Sequence, residues 1–176
     1  MHHLTLKLVT SAHILFAALF VGSNVFMDFM LMSRLELIPP GQAARLGEKL
    51  GKDFAIFNWV CLIGLLFTGV GLAWKMGFAH SLFSPTFLTT SYGSALLIKE
   101  IIWGSLVVTG ALMTFYLRPR IIVKLPYDAS RGTVDASRES TLRYANWMRW
   151  LARYNALAGM TALVSAAFLA NGGLWK

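Results

Sequence analysis

The sequence predicts an all-α polytopic membrane protein, a single domain built as a four-transmembrane-helix bundle over residues 1–176. Of its 176 residues, 56% are hydrophobic and only 14% are charged, whereas soluble domains carry about 25% charged residues. Mean hydropathy is +0.59. The apolar residues are concentrated in four long runs, and the alternating segments of about ten residues that build a membrane β-barrel are missing.

The first apolar run covers about residues 6–32. It is longer than the roughly 20 residues that a membrane-spanning helix needs. A cleaved signal peptide would have an apolar core of only about 7–15 residues and a small-residue cleavage site. Here the run ends in the charged stretch Ser33-Arg34-Leu35-Glu36, so we expect the span to be retained.

The other three runs cover about residues 54–74, 94–117 and 150–170. Each is long enough for one transmembrane helix with some tilt. Pro39 and Pro40 are expected to break the chain between the first two spans, and a short amphipathic stretch follows them. Arginines and tryptophans recur near helical spacing over residues 133–153. An interfacial anchor of Arg and Trp is the simpler explanation of this pattern, and a fourth helix that begins in the cytoplasm and runs into the membrane is the alternative.

The formal charge of +8 is explained by two basic connecting segments, 33–53 and 118–149. Cytoplasmic loops of membrane proteins carry an excess of Lys and Arg. These segments are therefore predicted to be cytoplasmic and both termini to lie outside, in a cell inner (cytoplasmic) membrane. Anionic lipid accounts for the basic residues, so the expected partner is the lipid bilayer and not nucleic acid.

His13 and Lys99 are the main candidate site residues. Each lies seven residues inside its span, counted from Leu6 and Tyr92, which places both about 10 Å below the predicted outer boundary. Ionisable side chains at that depth are costly and usually face a protein interior. A neutral imidazole can bind a metal or haem iron, so we predict a cofactor site here, with haem b as the first choice.

Glu100 and Asp28 are candidates for a proton path or a partner contact. Glu100 follows Lys99 directly, so the two side chains diverge by about 100°, and Glu100 is expected to face another helix or a partner subunit. Asp28 lies about 22 Å along the helix from His13, near the cytoplasmic boundary. A purely structural polar contact is an equal alternative for both carboxylates.

Copper is the alternative cofactor. Met27 and Met30 lie at the inner end of the first span, and thioethers suit Cu(I). His13 and His3 are further candidate copper ligands, His3 through a Cu(II) site at the N-terminus. Lipid-facing packing is the simpler explanation of the methionines. Cys61 is the single cysteine and is expected to pack inertly, and no phosphate-binding loop or protease motif is present.

The motifs at these positions resemble the copper-resistance D (CopD) membrane domain, which has a histidine in its first helix, a Ser/Thr-Gly pair in its second, and a Tyr-Gly-x5-Lys third helix with an arginine-rich exit. The matching residues are His13, Thr68-Gly69, Tyr92-Gly93, Lys99, Arg118 and Arg120. The resemblance implies copper movement or periplasmic copper handling.

The pattern is also similar to the HemJ-type haem-binding oxidases, through His13 and Lys99 alone. The aromatic-Pro-Arg exit of their first helix is replaced here by Phe26-Met27-Asp28-Phe29. That resemblance therefore implies a haem pocket without porphyrinogen oxidation.

Three functions follow as expectations. The first is a haem b protein with a redox or electron-transfer role, which could make it a haem-dependent membrane oxidoreductase. The second is copper transport or homeostasis, and the third is a non-catalytic subunit of a membrane respiratory complex. A homo-oligomer or a larger membrane complex is the expected assembly.

Overall fold

The computed structural model describes residues 2–31, 34, 37, 40–77, 84–124 and 135–170. Within these residues the regular structure is entirely helical, and it confirms the predicted all-α class. Two π-helices, π1 and π2, continue the first and third spans. The elements in chain order are α1 (His2–Val25), π1 (Phe26–Leu31), α2 (Pro40–Lys75), α3 (Pro85–Leu88), α4 (Ser91–Ala111), π2 (Leu112–Leu117), α5 (Arg118–Lys124) and α6 (Asp135–Ala170).

Three helical segments of the described chain are long and apolar enough to cross a membrane: Leu4–Leu31, Leu46–Lys75 and Tyr92–Ile121. The fourth predicted span lies in α6. Both α2 and α6 begin well before their apolar runs, so each extends through part of a basic segment. Pro40 is the first residue of α2, a position where the missing amide hydrogen of proline is tolerated.

Helices α1 and α2 run antiparallel. In α1, His13 approaches Thr68, whereas the later Asn24 approaches the earlier Asn58. Pairing a later residue of α1 with an earlier residue of α2 requires opposite directions. The second span also contacts the third, because the Trp59 indole N–H donates to the Thr114 hydroxyl at 3.3 Å. Helix α6 packs on both α1 and α4 and completes the bundle.

The buried centre of the bundle is small and is formed by residues of α1, α2 and α4. Its residues are Phe20, Val21, Cys61, Leu62 and Leu106. Cys61 is 1% exposed, which fits the packing role expected for it. A Cβ on Gly159 would lie 2.9 Å from Val21 Cγ2, so this glycine lets α6 approach α1 closely, as small residues do between membrane helices.

The start of α4 depends on a tight turn. Thr90 is the N-cap residue, and its hydroxyl accepts a hydrogen bond from the Gly93 amide at 3.0 Å. A Cβ at Gly93 would lie only 2.0 Å from the Phe87 carbonyl oxygen, so a side chain does not fit there. The Tyr92-Gly93 motif thus has a structural role at the helix start.

One end of the bundle, here called the basic end, carries Lys52, Arg118, Arg120 and Arg149. Arg118 Nη2 donates to the Glu48 carbonyl at 3.0 Å, which joins the end of the third span to α2. The Arg120 guanidinium lies 3.4 Å from the centre of the Tyr116 ring, a cation–π contact. π1 and π2 both approach this end, whereas His13 and Lys99 lie toward the other end.

Candidate functional site

His13 is half-buried between α1 and α2. Its Nδ1 atom lies 2.7 Å from Thr68 Oγ1. The Thr68 hydroxyl has one hydrogen, and the carbonyl oxygen of Gly64, 2.6 Å away, accepts it. With that hydrogen donated to Gly64, the hydroxyl accepts from His13; a neutral imidazole in this arrangement carries its proton on Nδ1 and its lone pair on Nε2.

The predicted Thr68-Gly69 pair forms the surface on which the imidazole lies. A Cβ on Gly69 would be 3.5 Å from His13 Cε1, an ordinary packing distance, so the ring rests against the backbone of α2. Lys99 is half-buried on α4.

Glu100 does not share this centre. It is exposed on the outer surface of α4, whereas Lys99 is half-buried. The two side chains diverge as their helical positions require. Glu100 therefore lies on the outside of the described bundle.

Asp28 lies in π1 and pairs with Arg153 of α6. The Arg153 Nε and Asp28 Oδ2 atoms are 3.7 Å apart, and the Asp28 side chain is only 7% exposed against 57% for Arg153. A buried carboxylate is costly unless a cation compensates its charge. The ion pair with Arg153 therefore explains how the first span can contain the buried carboxylate of Asp28. The sequence showed Arg153 near the membrane boundary but not its partner.

A cavity of about 310 Å³ lies between π1, π2, α2 and α6, toward the basic end. Its wall is mostly apolar and includes Phe20, Leu62 and Leu106 of the buried centre. Three methionines, Met27, Met113 and Met148, contribute to the wall from three separate helical segments. The cavity is thus a second candidate site, separate from His13.

Three asparagines line the cavity, Asn24, Asn58 and Asn155, and hydrogen bonds fix their side-chain amide groups. The Asn24 amide group donates to the Phe20 carbonyl at 2.8 Å and to Asn58 Oδ1 at 3.1 Å. Asn155 accepts from the Thr109 hydroxyl at 2.6 Å. Asn24 and Asn155 are each 4% exposed, so these bonds stabilise polar groups deep in the bundle.

The methionines predicted as copper ligands are placed differently from one another. Met27 lines the cavity, whereas Met30 is 62% exposed on the outside of π1. The side chain of His3 lies outside the described residues. Met113 and Met148 were not among the predicted ligands, although the segment Met113-Thr114-Phe115 repeats the pattern of Met27-Asp28-Phe29.

The described residues contain no group of three or more His, Cys, Asp or Glu side chains that could hold a metal ion. The donor atoms that the structure does offer are the single imidazole of His13 and the thioethers at the cavity. An imidazole suits several transition metals, while thioethers favour Cu(I).

Comparison with known proteins identifies the family. The family model of copper resistance protein D (CopD) matches residues 48–169, which includes Thr68, Lys99 and most of the cavity wall. His13 and Met27 precede the matched region. No curated protein and no solved structure matches the chain. Since the family model covers more than half of the sequence, the chain belongs to the copper resistance protein D family of multi-pass membrane proteins.

Proposed function

We propose that this protein binds and moves copper in the membrane as part of copper homeostasis, with His13 as a copper ligand. The observation that carries the proposal is the hydrogen bond from His13 to Thr68, because it leaves Nε2 unprotonated. Histidines that bind metals usually donate their other ring N–H to a fixed acceptor. Membership of the CopD family supports copper over other metals.

We further propose that the basic end faces the cytoplasm of an inner membrane, with a single domain spanning residues 1–176. The positive-inside rule supports this orientation, since Lys52, Arg118 and Arg149 lie at that end. His13 would then receive copper from the outer side. Labelling of single-cysteine variants from each side of the membrane tests the orientation.

Replacing Thr68 with valine is expected to weaken copper binding at His13. The substitution removes the acceptor for Nδ1–H while keeping a side chain of similar shape, and loss of such a partner typically costs about 10–100-fold in metal affinity. His13→Ala should remove one copper equivalent from the purified protein. Elemental analysis and competition with a copper chelator measure both effects.

Thr10→Val is the matched control, because the Thr10 hydroxyl donates to the Leu6 carbonyl one turn away on the same helix. It should bind copper as the natural sequence does. Equal copper content and affinity in His13→Ala, Thr68→Val and Thr10→Val would refute a ligand role for His13. A protein without any copper would refute the proposed function.

Binding of haem b is the second candidate function, and the half-buried imidazole of His13, held through Nδ1 at Thr68, favours it. The free Nε2 atom of His13 fits an axial ligand of haem iron. Lys99, on another helix, fits either a second ligand or a partner for a propionate. If bound, the haem would supply one-electron redox chemistry, and an oxidoreductase activity would follow only from that.

The absorption spectrum distinguishes the two candidates. Protein purified after expression with ample haem should show a Soret band if haem b is bound, and His13→Ala should abolish the band. Thr10→Val again serves as the control and should keep it. A colourless protein that retains copper would exclude haem b and favour the first proposal.

A further inference from the structure

The cavity between π1, π2, α2 and α6 is elongated along the helices. On α2 its wall is one helical face, formed by Gly51, Phe54, Ala55, Asn58, Trp59 and Leu62, positions that recur with the helical turn. At 1.5 Å per residue, this face extends about 16 Å along α2. It runs from Leu62 in the buried centre to Gly51, close to Leu46, where the second span begins. The cavity therefore leads from the buried centre to the basic end.

The wall of the cavity suits a flexible alkyl chain. It is mostly apolar, and Met27, Met113 and Met148 contribute to it from three helical segments. Unbranched thioether side chains adapt to irregular apolar shapes, which is why methionine recurs at surfaces that accept varied apolar ligands. The buried amide groups of Asn24 and Asn155 are bonded within the bundle. Contact with an apolar chain therefore does not cost them these hydrogen bonds.

Two arginines, Arg118 and Arg149, belong to the cavity wall. The Arg118 guanidinium donates to the backbone carbonyl of Glu48, which is uncharged, so this bond does not cancel its positive charge. The one carboxylate of the wall, Asp28, already pairs with Arg153. Arg118 alone therefore makes this end of the cavity positive, and an anion complements it.

The arginine end of the cavity lies at the level of the phospholipid headgroups. Arg118 and Asp28 are close to the ends of their spans, Tyr92–Ile121 and Leu4–Leu31, and a span ends where the hydrocarbon of the bilayer ends. Basic pockets between transmembrane helices bind acidic lipid headgroups. The guanidinium group matches a phosphate in shape, because its N–H groups form a planar fork. A lipid phosphate at this level thus has a cationic partner, and the acyl chain attached to it has an apolar cavity that leads into the bundle.

We propose that the cavity binds one acyl chain of an anionic phospholipid from the bilayer, with the lipid phosphate at Arg118. The cavity volume of about 310 Å³ lies at the lower end of the range of ligand pockets, about 300–1,000 Å³, so it holds part of a lipid while the rest stays in the bilayer. A soluble anion leaves the apolar wall uncovered, and an uncharged apolar molecule leaves Arg118 without an anion. The site is separate from His13 and does not depend on copper.

The test is native mass spectrometry of the full chain in mild detergent, titrated with phosphatidylglycerol or with phosphatidylcholine of the same acyl chains. We expect one phosphatidylglycerol molecule to bind more tightly than phosphatidylcholine. Arg118→Gln should weaken the binding of phosphatidylglycerol by about tenfold or more, the usual loss for a hydrogen bond to a charged group. Ala152→Leu adds bulk to the wall on α6 and should weaken the binding of both lipids. Phosphatidylglycerol should also raise the unfolding temperature of the natural protein, because it binds the folded state.

Two variants are the matched controls. Lys52→Gln removes the same charge at an exposed position of the basic end, and Ala18→Leu adds the same bulk at an exposed position of α1. Neither residue belongs to the cavity wall, so both variants should bind phosphatidylglycerol as the natural protein does. Circular dichroism and unfolding temperatures without added lipid verify that all four variants fold.

Equal binding of the two lipids, or unchanged affinity for phosphatidylglycerol in Arg118→Gln and Ala152→Leu, would overturn the proposal. Equal losses in Arg118→Gln and Lys52→Gln would also overturn it, because they would show a general attraction of the basic surface for anionic lipid. Displacement of phosphatidylglycerol by an equal concentration of glycerol phosphate would show that the headgroup binds alone and that the cavity holds no chain. His13→Ala should bind the lipid as the natural protein does, so this result is independent of the copper proposal.

Discussion

Replacing Gly93 with alanine is expected to destabilise the protein more than the same change at any other glycine of the described chain. The new Cβ would lie 2.0 Å from the Phe87 carbonyl oxygen, a backbone atom that cannot rotate away. The turn before α4 must therefore shift, and the Gly93 amide would lose its bond to the Thr90 hydroxyl. Overpacking of this kind costs about 3 kcal/mol. Thermal unfolding in detergent measures the loss.

Gly104→Ala is the control on the same helix. Nothing lies within 4 Å of a Cβ at Gly104, and alanine is about 1 kcal/mol better than glycine in a helix interior. This variant should be as stable as the natural sequence or slightly more stable. Equal unfolding temperatures for Gly93→Ala and Gly104→Ala would show that the turn at Phe87 does not have the described geometry.

Replacing Arg153 with leucine is expected to have the second largest effect on stability. Asp28 would then lose its cation while its side chain remains 7% exposed. Removing one partner of a buried ion pair costs about 3–5 kcal/mol. The lower end is expected for this pair because Arg153 is itself 57% exposed, and solvent or lipid headgroups already screen its charge.

A double-mutant cycle isolates the interaction between the two residues. Asp28→Asn removes the charge that Arg153 compensates, so the double variant Asp28→Asn/Arg153→Leu should recover much of the stability lost in Arg153→Leu. Arg143→Leu, at an exposed position of the same helix, should change stability little. Additive losses in the double variant would mean that Asp28 and Arg153 are not coupled.

The sequence alone was sufficient to predict the all-α fold class and the presence of helices long and apolar enough to cross a membrane. Composition and the length of the apolar runs are local properties, and they reflect directly what a helix needs to cross a bilayer. The helix starts were predicted less well. α2 begins at Pro40 and α6 at Asp135, well before their apolar runs. The basic segments that precede these runs are also helical, and apolar content does not mark where such a helix begins.

At the candidate site, depth could be predicted but partners could not. Counting residues predicted that His13 and Lys99 lie at one level, and the structure places each of them half-buried on its helix. The contact between the His13 imidazole and the Thr68 hydroxyl could not be predicted from the sequence, because it depends on how α1 packs on α2. The Thr68-Gly69 pair was visible in the sequence, but only as part of a family resemblance.

Along a membrane helix, apolar residues cover both the lipid-facing and the bundle-facing sides, because lipid tails are as apolar as leucine. The sequence therefore determined that this is a helical membrane protein. Tertiary structure alone decided that Met27 lines a cavity while Met30 faces outward, and that Asp28 pairs with Arg153. These features depend on which faces of separate helices meet, and on two π-helices that change the register of the side chains just before the basic end.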